Sequence, residues 1–163
     1  MKPDVSGRIR AYRSEDRAGL AACILELQEF ERTLESDRVD GAQIVARNLA
    51  DLLTMVEQHR GQIFVAELTA AVVGFVSVRL EHDADLYTST LTDYAYIADL
   101  VVLPSVRGRG YGTALLLRAE DYARQQGMRM LKIQVLAKNE QATAVYLRAG
   151  FRSYELALLK PLE

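Results

Sequence analysis

The spacing of apolar residues changes period several times along the chain, and each change marks an element. Arg8 to Tyr12 reads as a short strand. Ser14 then stands where a helix N-cap belongs, with Glu15 and Asp16 behind it to favour the positive helix end. Leu20, Cys23, Ile24, Leu27, Glu31 and Leu34 follow at three- and four-residue spacing, apolar at all but Glu31, which predicts an amphipathic helix. Asp40-Gly41 separates it from a second helix with Val45, Leu49, Leu52, Leu53 and Val56 on one face and Gly61 as its stop. Two β-rich runs, Ile63 to Leu68 and Val72 to Leu80, form a hairpin across Thr69-Ala70-Ala71, a turn with neither Gly nor Asn. Glu81 to Asp93 is polar without a clear period and reads as a loop or as strand extensions. Tyr94 to Leu103 is a strand, apolar or aromatic over most of its length, that Pro104 ends. Gly108 to Gln126 is a helix with Leu115, Leu116, Ala119, Tyr122 and Ala123 inward, closed by Gly127. Met130 to Leu136 is a strand. Asn139 caps a short helix whose apolar face is Ala142, Val145, Tyr146 and Ala149, Gly150 ends it, and Phe151 to Leu159 is a last strand. The order β-αα-ββ-β-α-β-α-β combines a hairpin, hence antiparallel pairs, with a strand–helix–strand unit, hence a parallel pair. The fold class is therefore α/β (α+β), a mixed sheet with helices on its faces.

Length and charge narrow the functional classes. At roughly 150 residues per domain, 163 residues make one domain over 1–163. Twenty Lys+Arg against 22 Asp+Glu give a net charge of −2, too balanced for a general nucleic-acid coat. The single cysteine, Cys23, leaves no intrachain disulfide and no multi-cysteine zinc site, and its place on an apolar helix face makes it a core residue. His59 and His82 are isolated, and Glu81-His82-Asp83-Ala84-Asp85 lacks the second cluster a metal site needs, so no metal is expected. No run approaches the ~20 apolar residues that cross a bilayer, and the first seven residues lack the apolar centre of a secretory signal, so no membrane association and a cytoplasmic location are expected.

The chemistry concentrates in Asp99 to Thr113. An apolar strand and a turn lead into Gly108, Gly110 and Gly112, which open a helix. A helix mouth presents amide N–H groups with no partner inside the helix and about half a positive charge. Glycines let a ligand approach that backbone, and Arg107 and Arg109 bracket the turn. The result is an anion cradle sized for a phosphate or diphosphate. It is not a P-loop, because no Lys-Ser/Thr follows the glycines, and it is not a dinucleotide fingerprint, because the third glycine of G-x-G-x-x-G would fall at Thr113.

Two blocks carry a resemblance over nearly the whole chain to the GCN5-related N-acetyltransferase (GNAT) superfamily. Ile97 to Thr113, with Arg107-Gly108-Arg109-Gly110-Tyr111-Gly112, is similar to its acetyl-CoA signature. Asn139 to Phe151 resembles its N-x-x-A-x-x-x-Y-x-x-x-G-F pattern. The resemblance implies a mixed, mostly antiparallel sheet of about six to seven strands with helices on both faces. It implies a diphosphate bound by the amides of Arg107, Gly108, Arg109, Gly110, Tyr111, Gly112 and Thr113. The exposed backbone of Leu100, Val101 and Val102 would pair with the pantetheine arm like an extra strand, and Asn139 would contact that arm. Tyr146 would lie near the CoA sulfur as proton donor. The implied activity is transfer of an acetyl group from acetyl-CoA to a primary amine.

The general base is the open point. Asp99 is the one carboxylate in the middle of its strand; relatives place Glu or Asp one position earlier, where this chain has Ala98, or a Glu in the next strand, where it has Gln134. Glu81 or water are the alternatives to Asp99. Acceptor specificity in the family comes from the first two helices and their connection, taken here to include Gln28-Glu29-Phe30-Glu31-Arg32, whose carboxylates would either attract a cationic amine or form a solvated face. The acceptor, a longer acyl donor, a silent CoA-binding role and the oligomeric state stay open, although a homodimer is common among relatives.

Overall fold

The computed structural model describes residues 8–83 and 92–162. Residues 1–7 and most of the polar stretch 81–93 lie outside them, with the expectations attached to those segments. Strand β1 (Arg8–Ala11) leads through a 3-10 turn into α1 (Arg17–Leu34) and α2 (Gly41–Gln58). β2 (Gln62–Leu68), β3 (Ala71–His82) and β4 (Asp93–Val102) follow, then α3 (Tyr111–Gln125), β5 (Leu131–Ile133) and α4 (Glu140–Arg148). The five strands lie in sequence order, antiparallel except for the parallel β4–β5 pair that α3 connects.

Alternation along the strands builds two apolar layers. Phe64, Val76, Val78, Ala95 and Ile97 pack on one face against Leu115, Leu116 and Ala119 of α3. Ile63, Val65 and Phe75 pack on the other against Leu20, Cys23 and Ile24 of α1 and Leu49 of α2. Helices thus cover both faces, as the pattern predicts.

Three local departures have physical causes. Ser14 does not cap α1: it lies within the 3-10 turn, and the Asp16 carboxylate accepts from the Arg13 amide at 2.8 Å and from Arg10 at 2.7 and 2.8 Å. The hairpin closes with Thr69 and Ala70 both at positive φ (47° and 64°), so its two-residue turn runs through a left-handed geometry that neither residue favours. α3 begins at Tyr111 rather than Gly108, because Gly108 and Gly110 hold φ of 76° and 90° in the preceding turn.

The sheet is shorter than six to seven strands. β5 holds three residues instead of Met130 to Leu136, and the strand expected over Phe151 to Leu159 is not formed. The sequence there alternates as a strand would. Yet so short a β5 offers little edge to pair with, and beyond Phe151 the segment is exposed, with Leu156, Leu158 and Leu159 at 77%, 88% and 85%.

Candidate active site

The site is made by a parting of strands. β4 and β5 pair only from Ala95–Leu131 to Ile97–Ile133. At that point β4 also bulges: Ser77 faces Asp99 while Val78 faces Ile97, leaving Ala98 as the extra residue. The bulge reverses the facing of the strand. Before it, Ala95 and Ile97 join the α3 layer; after it, Val101 joins the α1 layer. Asp99 is therefore carried to the α1 side. Beyond Ile97 the free edge of β4 borders a cavity of about 430 Å³.

That cavity is lined by Asp99, Leu100, Val101 and Val102 along the strand. Arg107, Gly108, Gly110, Tyr111, Gly112 and Thr113 line it at the turn, and Asn139 and Tyr146 on α4. The candidate site residues meet there except Glu81 and Arg109, the latter exposed on the turn and not part of the lining. The Arg107 amide donates to the Pro104 carbonyl at 3.3 Å, so the donors at the mouth of α3 run from Gly108 to Thr113. The Arg107 side chain is turned inward: it donates to the Val102 carbonyl at 3.0 Å and to Glu26 at 3.1 Å, and lies over the Phe30 ring.

Asp99 is held by a residue the sequence reading passed over. Ser77, fully buried on β3, donates its hydroxyl to Asp99 Oδ2 at 2.6 Å and accepts from the Asp99 amide at 3.0 Å. Burial pushes the Asp99 carboxyl above the ordinary carboxylate range, against the opposing pull of the Ser77 bond and the Arg79 charge. A hydroxyl set between Val76 and Val78, within the apolar run that precedes Arg79, was the available signal. Tyr146 is 9% exposed beside Phe151, and its phenol is pushed up to about 12, first by burial and then by the charge of Glu31. Asn139 caps α4, accepting from Ala142 N at 3.1 Å, and still lines the cavity.

Glu81 is elsewhere. It pairs with His59 at 3.2 Å and with Arg79, bordering a second cleft with His59, His82 and Asp93 rather than the cavity. His82 is paired with Asp93 at 2.6 Å. Among the described residues no three His, Cys, Asp or Glu side chains gather as a metal set. Cys23 is fully buried and its thiol is pushed up to about 12 by burial, which leaves it inert. No helix among the described residues is long and apolar enough to cross a membrane.

Residues 24–151 match the family model for the acetyltransferase (GNAT) family. The chain belongs to that family. It is accordingly an enzyme, an acyltransferase. It is 30% identical over 144 residues to the uncharacterized N-acetyltransferase YhfO of Bacillus subtilis, covering 88% of each chain. It is also 30% identical over 157 residues to the aminoalkylphosphonate N-acetyltransferase of Salmonella typhimurium, covering 94% of this chain and 90% of the relative. Among solved structures, aminoglycoside N-acetyltransferase AAC(6')-Iy in complex with CoA shares the fold, with a TM-score of 0.69 at 17% identity over 96% of this chain and 99% of that one.

Proposed function

We propose that this GNAT enzyme, as a single domain, transfers an acetyl group from acetyl-CoA to a primary amine by direct attack within a ternary complex. One observation carries the reading: the unpaired edge of β4 beyond the bulge joins the glycine turn to Asp99 and Tyr146 in one cavity. The residues suit the donor. Gly112 leaves open space, since a Cβ there would meet only Val102 Cγ2 at 3.8 Å, and the amides from Gly108 to Thr113 offer a diphosphate its donors. Acetyl-CoA supplies the activated thioester carbonyl.

The chain's own residues do the rest. The Val102 amide, which points from β4 to its free edge, polarises that carbonyl. A lysine-like amine, with pKa about 10.4, is neutral in roughly one molecule per few thousand at pH 7, so its proton needs a destination. Asp99, raised by burial, takes it directly or through water. As the new C–N bond forms and the C–S bond breaks, Tyr146 directs its hydroxyl to the departing sulfur. A phenol near 12 is a weaker acid than an ordinary thiol of about 8.5, so complete transfer from Tyr146 is uphill by roughly 5 kcal/mol. Its contribution is a hydrogen bond to the charge growing on sulfur.

The test is calorimetric titration with acetyl-CoA, followed by thiol release with a panel of amines. Tyr146→Phe is expected to lower turnover about 10- to 100-fold, the worth of one hydrogen bond to a charged group, with acetyl-CoA affinity within about twofold. Unchanged turnover removes Tyr146 from the mechanism, and absence of acetyl-CoA binding overturns the reading.

A further inference from the structure

Resting on that reading, we propose that the Arg107 side chain is a positioning residue for acetyl transfer: it ties the donor strand β4 to the helix α1 across the cavity, and does not serve as a phosphate ligand.

The ladder shows which groups of β4 are open. Phe75–Val101 and Gly74–Val102 are successive pairs, and next to them the Leu103 amide donates to the Val73 carbonyl at 2.9 Å. Along an antiparallel ladder, pairs that exchange hydrogen bonds alternate with pairs that do not. Val102 is therefore a residue whose N–H and C=O both point away from β3, to the free edge that borders the cavity. Its amide is left for the thioester carbonyl. Its own carbonyl is taken, because Arg107 Nε donates to it at 3.0 Å.

The same guanidinium reaches the opposite wall. Nη2 donates to Glu26 Oε1 at 3.1 Å, and the guanidinium carbon lies over the Phe30 ring, 5.4 Å from its centre. Glu26 and Phe30 stand one turn apart on α1, so they share a stripe of the helix. Phe30 also lines the cavity, beside Leu27 and Glu31. The main chain of Arg107 is fixed as well, through its amide on the Pro104 carbonyl at 3.3 Å. One planar fork thus runs from the strand edge to the helix and sets the spacing of the two walls. Lysine would keep the charge and lose the fork.

A side chain kept for a phosphate would carry uncommitted charge. Arg109, exposed on the turn, and Arg148, on the α4 side of the cavity, have no partner among the described residues. The Arg107 charge is matched by Glu26, with the two side chains 34% and 30% exposed. The consequence falls on geometry. The amine must enter along the α1 wall and meet the carbonyl that the Val102 amide holds. Losing the bridge loosens that alignment and slows transfer, and leaves the diphosphate donors of the glycine turn in place.

The experiment pairs calorimetric titration with acetyl-CoA and thiol release with spermidine, lysine and 2-aminoethylphosphonate as acceptor probes. It is run on the wild type, Arg107→Gln, Arg107→Lys, Glu26→Gln and the Arg107→Gln/Glu26→Gln double variant. Both Arg107 variants are expected to lower kcat/KM at least tenfold for the probe the wild type turns over fastest, with the Kd for acetyl-CoA within twofold. Glu26→Gln is expected to lower kcat/KM about threefold or more. The double variant should be no worse than Arg107→Gln, as for two residues of one bridge. Thermal unfolding reports the folding of each variant, and if Arg107→Gln does not fold, Arg107→Lys and Glu26→Gln decide by the same measures. A tenfold loss of acetyl-CoA affinity in Arg107→Gln that Arg107→Lys restores makes the side chain a phosphate ligand and overturns the proposal. Unchanged kcat/KM, or single effects that multiply in the double variant, overturns it too. Each of these leaves the transferase reading standing, whereas acetyl-CoA binding by the wild type with no transfer to any probe overturns both.

Discussion

Gly112 and Gly74 separate a glycine kept for a ligand from one kept for the fold. At Gly112 a Cβ would be in ordinary contact, 3.8 Å from Val102 Cγ2, and the residue lies in the first turn of α3. Gly112→Ala should therefore be neutral or stabilising by up to about 1 kcal/mol, the usual gain for alanine over glycine in a helix. The same methyl group stands in the cavity beside the amides assigned to the diphosphate. Displacing a charged oxygen from one such donor loses about 1.5–3 kcal/mol, which is roughly 10- to 100-fold in affinity. Gly74 reverses the expectation. A Cβ there would lie 2.6 Å from the Val101 carbonyl oxygen, on paired backbone that cannot yield cheaply. Gly74→Ala should cost about 1–3 kcal/mol of stability. Thermal unfolding and calorimetric titration with acetyl-CoA on both variants give the comparison. If Gly112→Ala binds acetyl-CoA like the parent, or loses as much stability as Gly74→Ala, the glycine turn is a structural cap and the donor site lies elsewhere.

Ser77→Ala removes the donor that favours ionised Asp99, so the acid limb of the pH–rate profile should move to higher pH, with about 1–3 kcal/mol of stability lost from the orphaned groups; an unmoved limb would assign the base to another group. Thr69→Asn with Ala70→Gly matches the two positive-φ positions of the hairpin turn. Relief of about 1 kcal/mol at each site should raise Tm by roughly 4–8 °C, and no rise would mean the turn is not strained. The Asp16 carboxyl is lowered below its ordinary 3.8, chiefly by its hydrogen bonds from Arg10. Folding therefore favours its ionised form, and that stabilisation is complete above pH 3.8 and is lost as pH falls through the folded value. Asp16→Asn should lower Tm at pH 7 and flatten its fall below pH 4, as followed by thermal unfolding across pH.

The elements that could be read from the chain are those whose signal is local. α2 starts where Asp40 and Gly41 place it, because the Asp40 carboxylate accepts from Ala42 N at 2.8 Å within its own turn. α4 and its Asn139 cap follow from the same short-range chemistry. The strand expected over Phe151 to Leu159 does not form, for the converse reason. Alternating side chains make a segment competent to pair, but a partner edge must be offered, and β5 supplies three residues. The hairpin turn sat at the right place on the wrong chemistry. The antiparallel ladder from Gln62–Val78 to Leu68–Ala71 holds Thr69 and Ala70 in a geometry that local preference would refuse.

The same division runs through the site. Residues expected to work through their backbone are consecutive and leave a glycine pattern, so the turn and the β4 edge are legible together. Residues that work through side chains arrive from distant strands and helices. Asp99 could be named as a carboxylate in an apolar strand, but not that a one-residue bulge at Ala98 would turn it toward α1, since nothing in Ile97-Ala98-Asp99 marks a bulge. Without that bulge the alternation from Ala95 and Ile97 would drive Asp99 into the α3 layer, where an ionised carboxylate would cost several kcal/mol. With it, Asp99 meets Ser77 across the ladder and shares a cavity with Glu31, 68 residues away in sequence. Donor binding can thus be written as a motif, whereas acceptor choice depends on how the helix packing lays α1 across the opened strand edge. Substitutions on the inner face of α1 should change which amine is accepted without moving the glycine turn.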